Sequence, residues 1–257
     1  MNVNLKSPSK MMAVIIYLLI YALLGAVFII LSIGIVGAIN GAGFSNMIDI
    51  YVHSKINGAN ITNEELSAYY IGSAIGNFLT YLFMAIGIIF YMRDEFKNDF
   101  VAIKEKPKFY SIYIPLTSIL FVTLAITISI LFNKITESSA NQQTIENMLK
   151  YSGASLMIIS TILLAPIVEE AIYRKCIFHF FRAYPIWVSY VVSTILFALP
   201  HMLTTSTSFG NWCLIALPYL LDGFMLALIY HLSKKNIYAT IIAHMLNNIV
   251  AVILVFI

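Results

Sequence analysis

The sequence predicts an all-α polytopic membrane protein with about seven transmembrane helices, arranged as a bundle around an intramembrane polar cavity. Of its 257 residues, 60% are hydrophobic and 11% are charged, and the mean hydropathy is +0.88. A soluble domain carries about 25% charged residues. Apolar stretches also recur at the length of about 20 residues that a helix needs to cross a bilayer. Composition and stretch length therefore favour the same class.

Seven apolar stretches follow one another, and each predicts one membrane-spanning helix. They begin near Met11, Tyr70, Tyr110, Ala154, Pro185, Asn211 and Ile237. The first follows Lys6 and Lys10, as a signal peptide would. It is too long for the apolar region of a signal peptide and has no convincing small-residue cleavage site, so we expect a retained helix. The stretch "TIENMLK" at residues 144–150 predicts a short interfacial helix.

Two polar segments interrupt the early spans, and both are predicted to be loops. They are residues 40–67 and the basic residues 93–108. Membrane topology and contact with anionic lipid explain the basic segment better than a specific partner does. Because the unusual polar residues come later, the sequence predicts two regions, N-terminal helices and loops at 1–153 and a helical core that carries those residues at 154–257.

The distribution of basic residues predicts how the chain crosses the membrane. With the N-terminus in the cytoplasm, twelve of the fifteen Lys and Arg fall on the inner side and three on the outer, and cytoplasmic loops carry the excess of positive charge. We expect a multi-pass protein of the cell membrane, of bacterial origin from its Asn, Ile and Lys usage. Topology accounts for the net charge of +3, so no nucleic-acid partner is expected.

Several ionisable residues fall within predicted spans. The acidic ones are Glu169, Glu170 and Asp222, and the clearest histidines are His201 and His244. An ionised group at the bilayer centre costs about 2.5–3.5 kcal/mol, so these residues indicate a functional site. Asp222 either lines a cavity or forms a hydrogen bond within the bundle. His179, near the inner surface, is expected to be packed or solvated rather than a ligand.

Helical spacing brings these residues into pairs. Three pairs lie four positions apart, and residues at this spacing share a helix face: Glu170 and Arg174, Phe197 and His201, and His244 and Asn248. Glu169 points about 100° away from Glu170. We therefore expect Glu170 to pair with Arg174 as a structural element, while Glu169 faces a different neighbour and is available for chemistry.

The chemistry that such residues support is hydrolysis. A partly buried carboxylate can take a proton from water and later return it to a leaving amine. The histidines can donate hydrogen bonds or bind a metal, and the amide of Asn248 can stabilise an oxyanion. Pro166 and Pro200 are expected to loosen their helices, which is tolerated where a cavity is lined.

Three sequence motifs resemble those of a known family. They are "EEAIYR" at 169–174, "FALPH" at 197–201 and "HMLNN" at 244–248, which look like the EExxxR, FxxxH and HxxxN motifs of the CPBP family. That family comprises type II CAAX prenyl proteases, bacteriocin-processing enzymes and Abi proteins, which are intramembrane endopeptidases. The motifs occur in the same order on successive spans, and the resemblance extends from about residue 154 to the C-terminus.

The resemblance implies a helical bundle around a conical cavity open to the cytoplasm. The catalytic residues that it implies are Glu169, Glu170, His201, His244 and Asn248, supported by Arg174 and Phe197. Among these, Glu169 would activate the water. Whether a divalent metal such as zinc takes part is open. The sequence has no HExxH arrangement, and water activated without a metal is slightly preferred.

The sequence thus predicts an intramembrane endopeptidase that hydrolyses a peptide bond in a membrane-associated or hydrophobic peptide. Its expected partners are that peptide or membrane-protein substrate and the lipid bilayer. One alternative is a non-catalytic membrane regulatory or bacteriocin-immunity protein of the same fold. Another is a transporter with a proton relay, against which the lack of an inverted repeat counts.

Overall fold

The computed structural model describes residues 8–53, 60–133, 139–151, 153–203 and 205–256, and these residues form helices and turns with no strand. The predicted all-α class is therefore confirmed. The helices are α1 (Pro8–Ile39), α2 (Phe44–Val52), α3 (Asn63–Tyr91), α4 (Arg93–Glu105), α5 (Ile114–Asn133), α6 (Ala140–Leu149), α7 (Ala154–Ile159), α8 (Ala165–Glu170), α9 (Ile177–Phe180), α10 (Ile186–Met202), α11 (Phe209–Leu232) and α12 (Ile237–Val255). Three π-helical turns, Phe109–Tyr113, Ser160–Leu164 and Ala171–Cys176, join some of them.

Six helical stretches in the described part of the chain are long and apolar enough to cross a membrane. They are Leu19–Ile39, Asn63–Tyr91, Phe109–Ile128, Ala154–Phe180, Phe209–Leu232 and Ile237–Val255. The remaining predicted span, the fifth in chain order, corresponds to α10, which is apolar but has only 17 residues. Large apolar side chains such as Leu23 and Leu116 are exposed, as suits contact with lipid. The protein is a multi-pass membrane protein.

The two segments predicted to be loops each contain a helix, so that expectation was wrong. Residues 40–67 include α2, which buries Met47 and Ile50. Residues 93–108 include α4, whose buried side chains are Glu95 and Asp99. These two carboxylates lie four positions apart on one helical face, and a buried face made of acids gives no hydrophobic signal in the sequence. The predicted short helix at 144–150 is confirmed as part of α6.

The chain forms two compact units. The first includes Gly87–Gln143 and Pro166–Ile257 and contains all three motifs. The second comprises Ile16–Ile86 and Thr144–Ala165. The region boundary at residue 153 stays a prediction, because it was placed by the distribution of polar residues rather than by packing.

In the second unit, glycines allow α1 and α3 to approach closely. A Cβ atom added at Gly72 would lie 2.4 Å from Ile33 Cα, and one added at Gly76 would lie 2.4 Å from Ile29 Cα. Small residues four positions apart are a common means of packing helices in membranes. The pair therefore fixes the α1–α3 contact.

Replacing Gly72 with alanine is expected to destabilise the protein by about 1–3 kcal/mol, because the new methyl group would overlap backbone atoms. The measurement is the Tm of the purified protein in detergent. Gly210→Ala is the matched control, since a Cβ there meets no atom within 4 Å. Equal Tm values for the two variants would contradict this account of the contact.

In the first unit, Asp99 connects α4 to the segments that carry two of the motifs. Its carboxylate binds Lys175 Nζ and accepts a hydrogen bond from the backbone N–H of Ile237 at 2.7 Å. Asn236 Nδ2 donates to the Asp99 carbonyl at 2.8 Å. Lys175, a basic residue of the predicted cytoplasmic side, is only 2% exposed. This contact fixes the start of α12 relative to the residues that follow the paired glutamates.

Candidate active site

The segment that carries the first motif is an irregular helix. Within Ala154–Phe180 the α-helix widens into π-helical turns at Ser160–Leu164 and at Ala171–Cys176. Such π-turns occur mostly as single insertions in α-helices, frequently at functional sites. The second turn follows the paired glutamates directly, and Ser193 Oγ of α10 donates to the Tyr173 carbonyl in it at 2.7 Å.

Arg174 forms the ion pair that the spacing predicts. Its Nε lies 3.1 Å from Glu170 Oε2, and both side chains are fully buried. Arg174 Nη2 donates to the Gly223 carbonyl at 3.4 Å, and the guanidinium carbon lies 4.7 Å from the centre of the Phe197 ring. A charged pair is tolerated in a buried position only when each ion has such partners. The contacts of Arg174 also join the segment of the first motif to α10, through Phe197, and to α11, through Gly223.

Glu170 also binds the histidine of the third motif. Its Oε1 lies 2.9 Å from His244 Nδ1, so Glu170 connects Arg174 to His244. The other ring nitrogen, His244 Nε2, lies 3.9 Å from Glu169 Oε2. This separation is too long for a direct hydrogen bond, but one water molecule could lie about 2.8 Å from both atoms. Glu169, as expected, faces a neighbour other than Arg174.

Phe197 is the aromatic centre of the site. It is 3% exposed, and its ring centre lies 5.4 Å from that of His201 and 5.6 Å from that of His244. Tyr173 meets it edge-on at 5.7 Å. The three motifs, separate in sequence, therefore meet around one ring. Asn248 is half-buried on α12, one helical turn after His244.

His201 is held by residues that the motifs do not include. Its Nδ1 lies 3.3 Å from Asn141 Nδ2, and its ring stacks on Tyr219 at 4.8 Å with an interplanar angle of 5°. Little in the sequence pointed to Asn141, a polar residue at the start of a short helix, although Tyr219 directly follows a proline within a span.

Asp222 and His179 are the remaining polar residues that the sequence singles out in or near the spans. Asp222 accepts a hydrogen bond from Asn247 Nδ2 at 3.3 Å, which is the second of its two expected roles. It also borders a cavity of only about 10 Å³, no larger than one water needs. His179 lies in α9, and Arg182 Nη1 donates to its carbonyl at 2.9 Å.

The side chains that the structure describes do not form a metal site. Among the residues that the structure describes, no three His, Cys, Asp or Glu side chains are placed to hold a metal ion. A zinc site requires at least three protein ligands, and His244 Nδ1 is already bound by Glu170. The donor set therefore does not fit zinc in this conformation.

In this membrane bundle an arginine and two histidines from the three motifs surround one aromatic ring, and Glu170 of the paired glutamates binds the arginine and His244. A family model described as "Type II CAAX prenyl endopeptidase Rce1-like" matches residues 151–250. The matched segment contains all three motifs, so the family resemblance is confirmed for this part of the chain. No curated protein and no solved structure gave a match.

Proposed function

We propose that this protein is an intramembrane endopeptidase in which Glu169 activates a water molecule for attack on a peptide bond. The observation that carries the proposal is the chain of contacts from Arg174 through Glu170 to His244, which directs His244 Nε2 towards Glu169 at 3.9 Å. A carboxylate beside an oriented imidazole is what general base catalysis needs.

The reaction that follows from this geometry has two stages. Water bound between Glu169 and His244 loses a proton to the Glu169 carboxylate while its oxygen attacks the carbonyl carbon of the peptide. The resulting tetrahedral oxyanion then re-forms the carbonyl and breaks the C–N bond. The proton held by Glu169 passes to the leaving nitrogen, which gives a new carboxyl terminus and a free amine and regenerates the carboxylate.

The other residues of the set have supporting roles in this proposal. Glu170 is a positioning residue, because it acts through His244 by accepting the Nδ1 proton and so fixing the ring. Arg174 neutralises Glu170, and Glu169 is the carboxylate that we assign to the water. We assign Asn248 and His201 to the developing oxyanion, as hydrogen-bond donors. No step in this mechanism passes through a metal.

The substrate is proposed to be a hydrophobic or membrane-associated peptide. An apolar groove of about 510 Å³ runs along α10 and α11. Trp187 and Phe224 line it, as does Thr194, which belongs to the same helix as Phe197. A groove of this size and character suits an apolar side chain or an attached lipid. We further propose that the N-terminus lies in the cytoplasm. The proposed substrate is a bacteriocin precursor or a signalling peptide.

A cleavage assay tests the proposal. The full-length protein, reconstituted in liposomes, is incubated with a library of hydrophobic and lipidated peptides, and the products are identified by mass spectrometry. In water enriched in ¹⁸O we expect one ¹⁸O atom in the new carboxyl terminus. Absence of cleavage across peptides spanning free, lipidated and transmembrane forms would overturn the proposal.

Adding a chelator to the same assay is expected to leave the rate of cleavage unchanged. The reason is that the described acidic and histidine side chains do not converge as a set of three metal ligands. The measurement compares initial rates after dialysis with and without 1,10-phenanthroline. A loss of cleavage that added Zn²⁺ restores would contradict the metal-free mechanism, though not the endopeptidase activity.

A further inference from the structure

Two lysines from distant parts of the chain come together at one end of the first unit. Lys106 directly follows α4 and lies three positions before the span Phe109–Ile128. Lys234 lies two positions after the span Phe209–Leu232. Both residues are exposed. They therefore lie just outside the apolar parts of their helices, at the depth where lipid headgroups begin.

Tyr110 holds the two segments together. Its backbone N–H donates to the Lys106 carbonyl at 3.2 Å. Its hydroxyl donates at 3.1 Å to the carbonyl of Ser233, the residue before Lys234. The ammonium group of Lys234 also lies 5.4 Å from the centre of the Phe109 ring, as a cation–π contact. The two lysines are thus kept close by contacts of their neighbours and not by any attraction between them.

The turn that carries Lys234 is held in an uncommon conformation. Lys234 and Lys235 have φ angles of 59° and 63°, in the left-handed region that favours glycine. The backbone N–H of Lys235 donates to the Tyr230 carbonyl at 2.8 Å, and Lys175 Nζ donates to the Lys235 carbonyl at 3.3 Å. Other residues keep such a conformation only where their surroundings impose it, and these positions cluster at ligand sites. The turn is therefore not free to move Lys234 away from Lys106.

The two ammonium groups lack a counter-ion. The contact of Lys234 with the Lys106 side chain, and the repulsion between their charges, lower the pKa of Lys234. Within the part of the chain that the structure describes, neither ammonium group pairs with an acid, although Glu105 precedes Lys106 directly. An anion with several oxygens could accept hydrogen bonds from both groups and remove the repulsion.

We propose that Lys106 and Lys234 together bind the phosphate group of an anionic phospholipid. Basic pockets between membrane helices bind such headgroups, and a headgroup with a net negative charge offsets two ammonium groups better than a zwitterionic one. A lipid is favoured over a soluble phosphate because both lysines border apolar spans. Exposed side chains such as Ile112 and Leu116 follow on the first of these spans and can contact the acyl chains. The inference does not depend on the proposed endopeptidase function.

The test measures the Tm of the purified full-length protein in a neutral detergent. We expect dioleoyl phosphatidylglycerol, at ten times its Kd, to raise the Tm by about 3–6 °C, and dioleoyl phosphatidylcholine to change it little. Lys106→Gln/Lys234→Gln should lose this rise. Arg93→Gln/Lys97→Gln is the matched control, since it removes the same charge from exposed positions of α4, and it should keep the rise. Equal responses of the two double variants would overturn the proposal.

Inorganic phosphate distinguishes the two sources of the bound group. Added without lipid, it should leave the Tm unchanged, because a lipid is also held by its chains. A rise as large as that with phosphatidylglycerol, and lost in the Lys106→Gln/Lys234→Gln variant, would overturn the assignment to a lipid.

A single variant gives a second readout that needs no ligand. Without anionic lipid, Lys106→Gln should raise the Tm, because it removes the repulsion from Lys234, whereas Lys97→Gln should not. An unchanged or lower Tm in Lys106→Gln would show that the two ammonium groups do not oppose each other, and the proposal would fail.

Discussion

Replacing Glu169 with glutamine is expected to abolish peptide cleavage while the protein still folds in the membrane. The amide has nearly the shape of the carboxylate but cannot take a proton from water, so the first stage of the reaction loses its base. Removal of a general base lowers rates by about 10²–10⁴-fold. The measurement is kcat in the liposome assay.

A matched control shows whether the loss of cleavage comes from the site alone. Glu105→Gln is the matched control, because Glu105 ends α4 at an exposed position, and its kcat should equal that of the unsubstituted protein. The Glu169→Gln variant should also keep its Tm, since the Glu170–Arg174 ion pair remains intact. A variant that retains normal turnover would show that another group activates the water.

The parts of this site that the sequence predicts are those that follow from local geometry. Glu170 and Arg174 lie one helical turn apart on one segment, so their pairing needs no tertiary information. Charged residues within apolar stretches can also be recognised from sequence, because burying each one costs several kcal/mol unless it is paired. Hydropathy likewise predicts the all-α membrane class, because spanning length and apolar character are properties of continuous stretches.

The parts that the sequence does not predict depend on contacts between distant segments. Asn141 lies 60 positions before His201, and an amide in a polar stretch resembles any surface residue. Asp99 lies 76 positions before Lys175, so its segment was interpreted as a loop although it forms a buried contact. Asn141 and Asp99 are both polar, and each acquires its structural role from a partner that is distant in sequence.

Replacing Arg174 with methionine is expected to have the largest effect on stability. Methionine fills similar space but leaves the Glu170 carboxylate fully buried without its cation and the Gly223 carbonyl without its donor. Breaking one side of a buried ion pair costs about 3–5 kcal/mol. The measurement is the free energy of unfolding in detergent. Arg93→Met is the matched control, because Arg93 and its neighbour Asp94 are exposed and such a pair is worth about 0–1 kcal/mol.

The double variant Glu170→Gln/Arg174→Met separates the charge from the packing. If the unpaired carboxylate causes the loss, removing its charge should restore most of the stability, and the two substitutions should be strongly non-additive. The amide that replaces the Glu170 carboxylate can still accept the Nδ1 proton of His244 through its carbonyl, so His244 should keep its orientation. Cleavage should then persist at a reduced rate, since a neutral amide accepts the Nδ1 hydrogen bond more weakly than a carboxylate and holds the ring less firmly. A double variant as unstable as Arg174→Met would instead show that the arginine is needed for its contacts with Gly223 and Phe197.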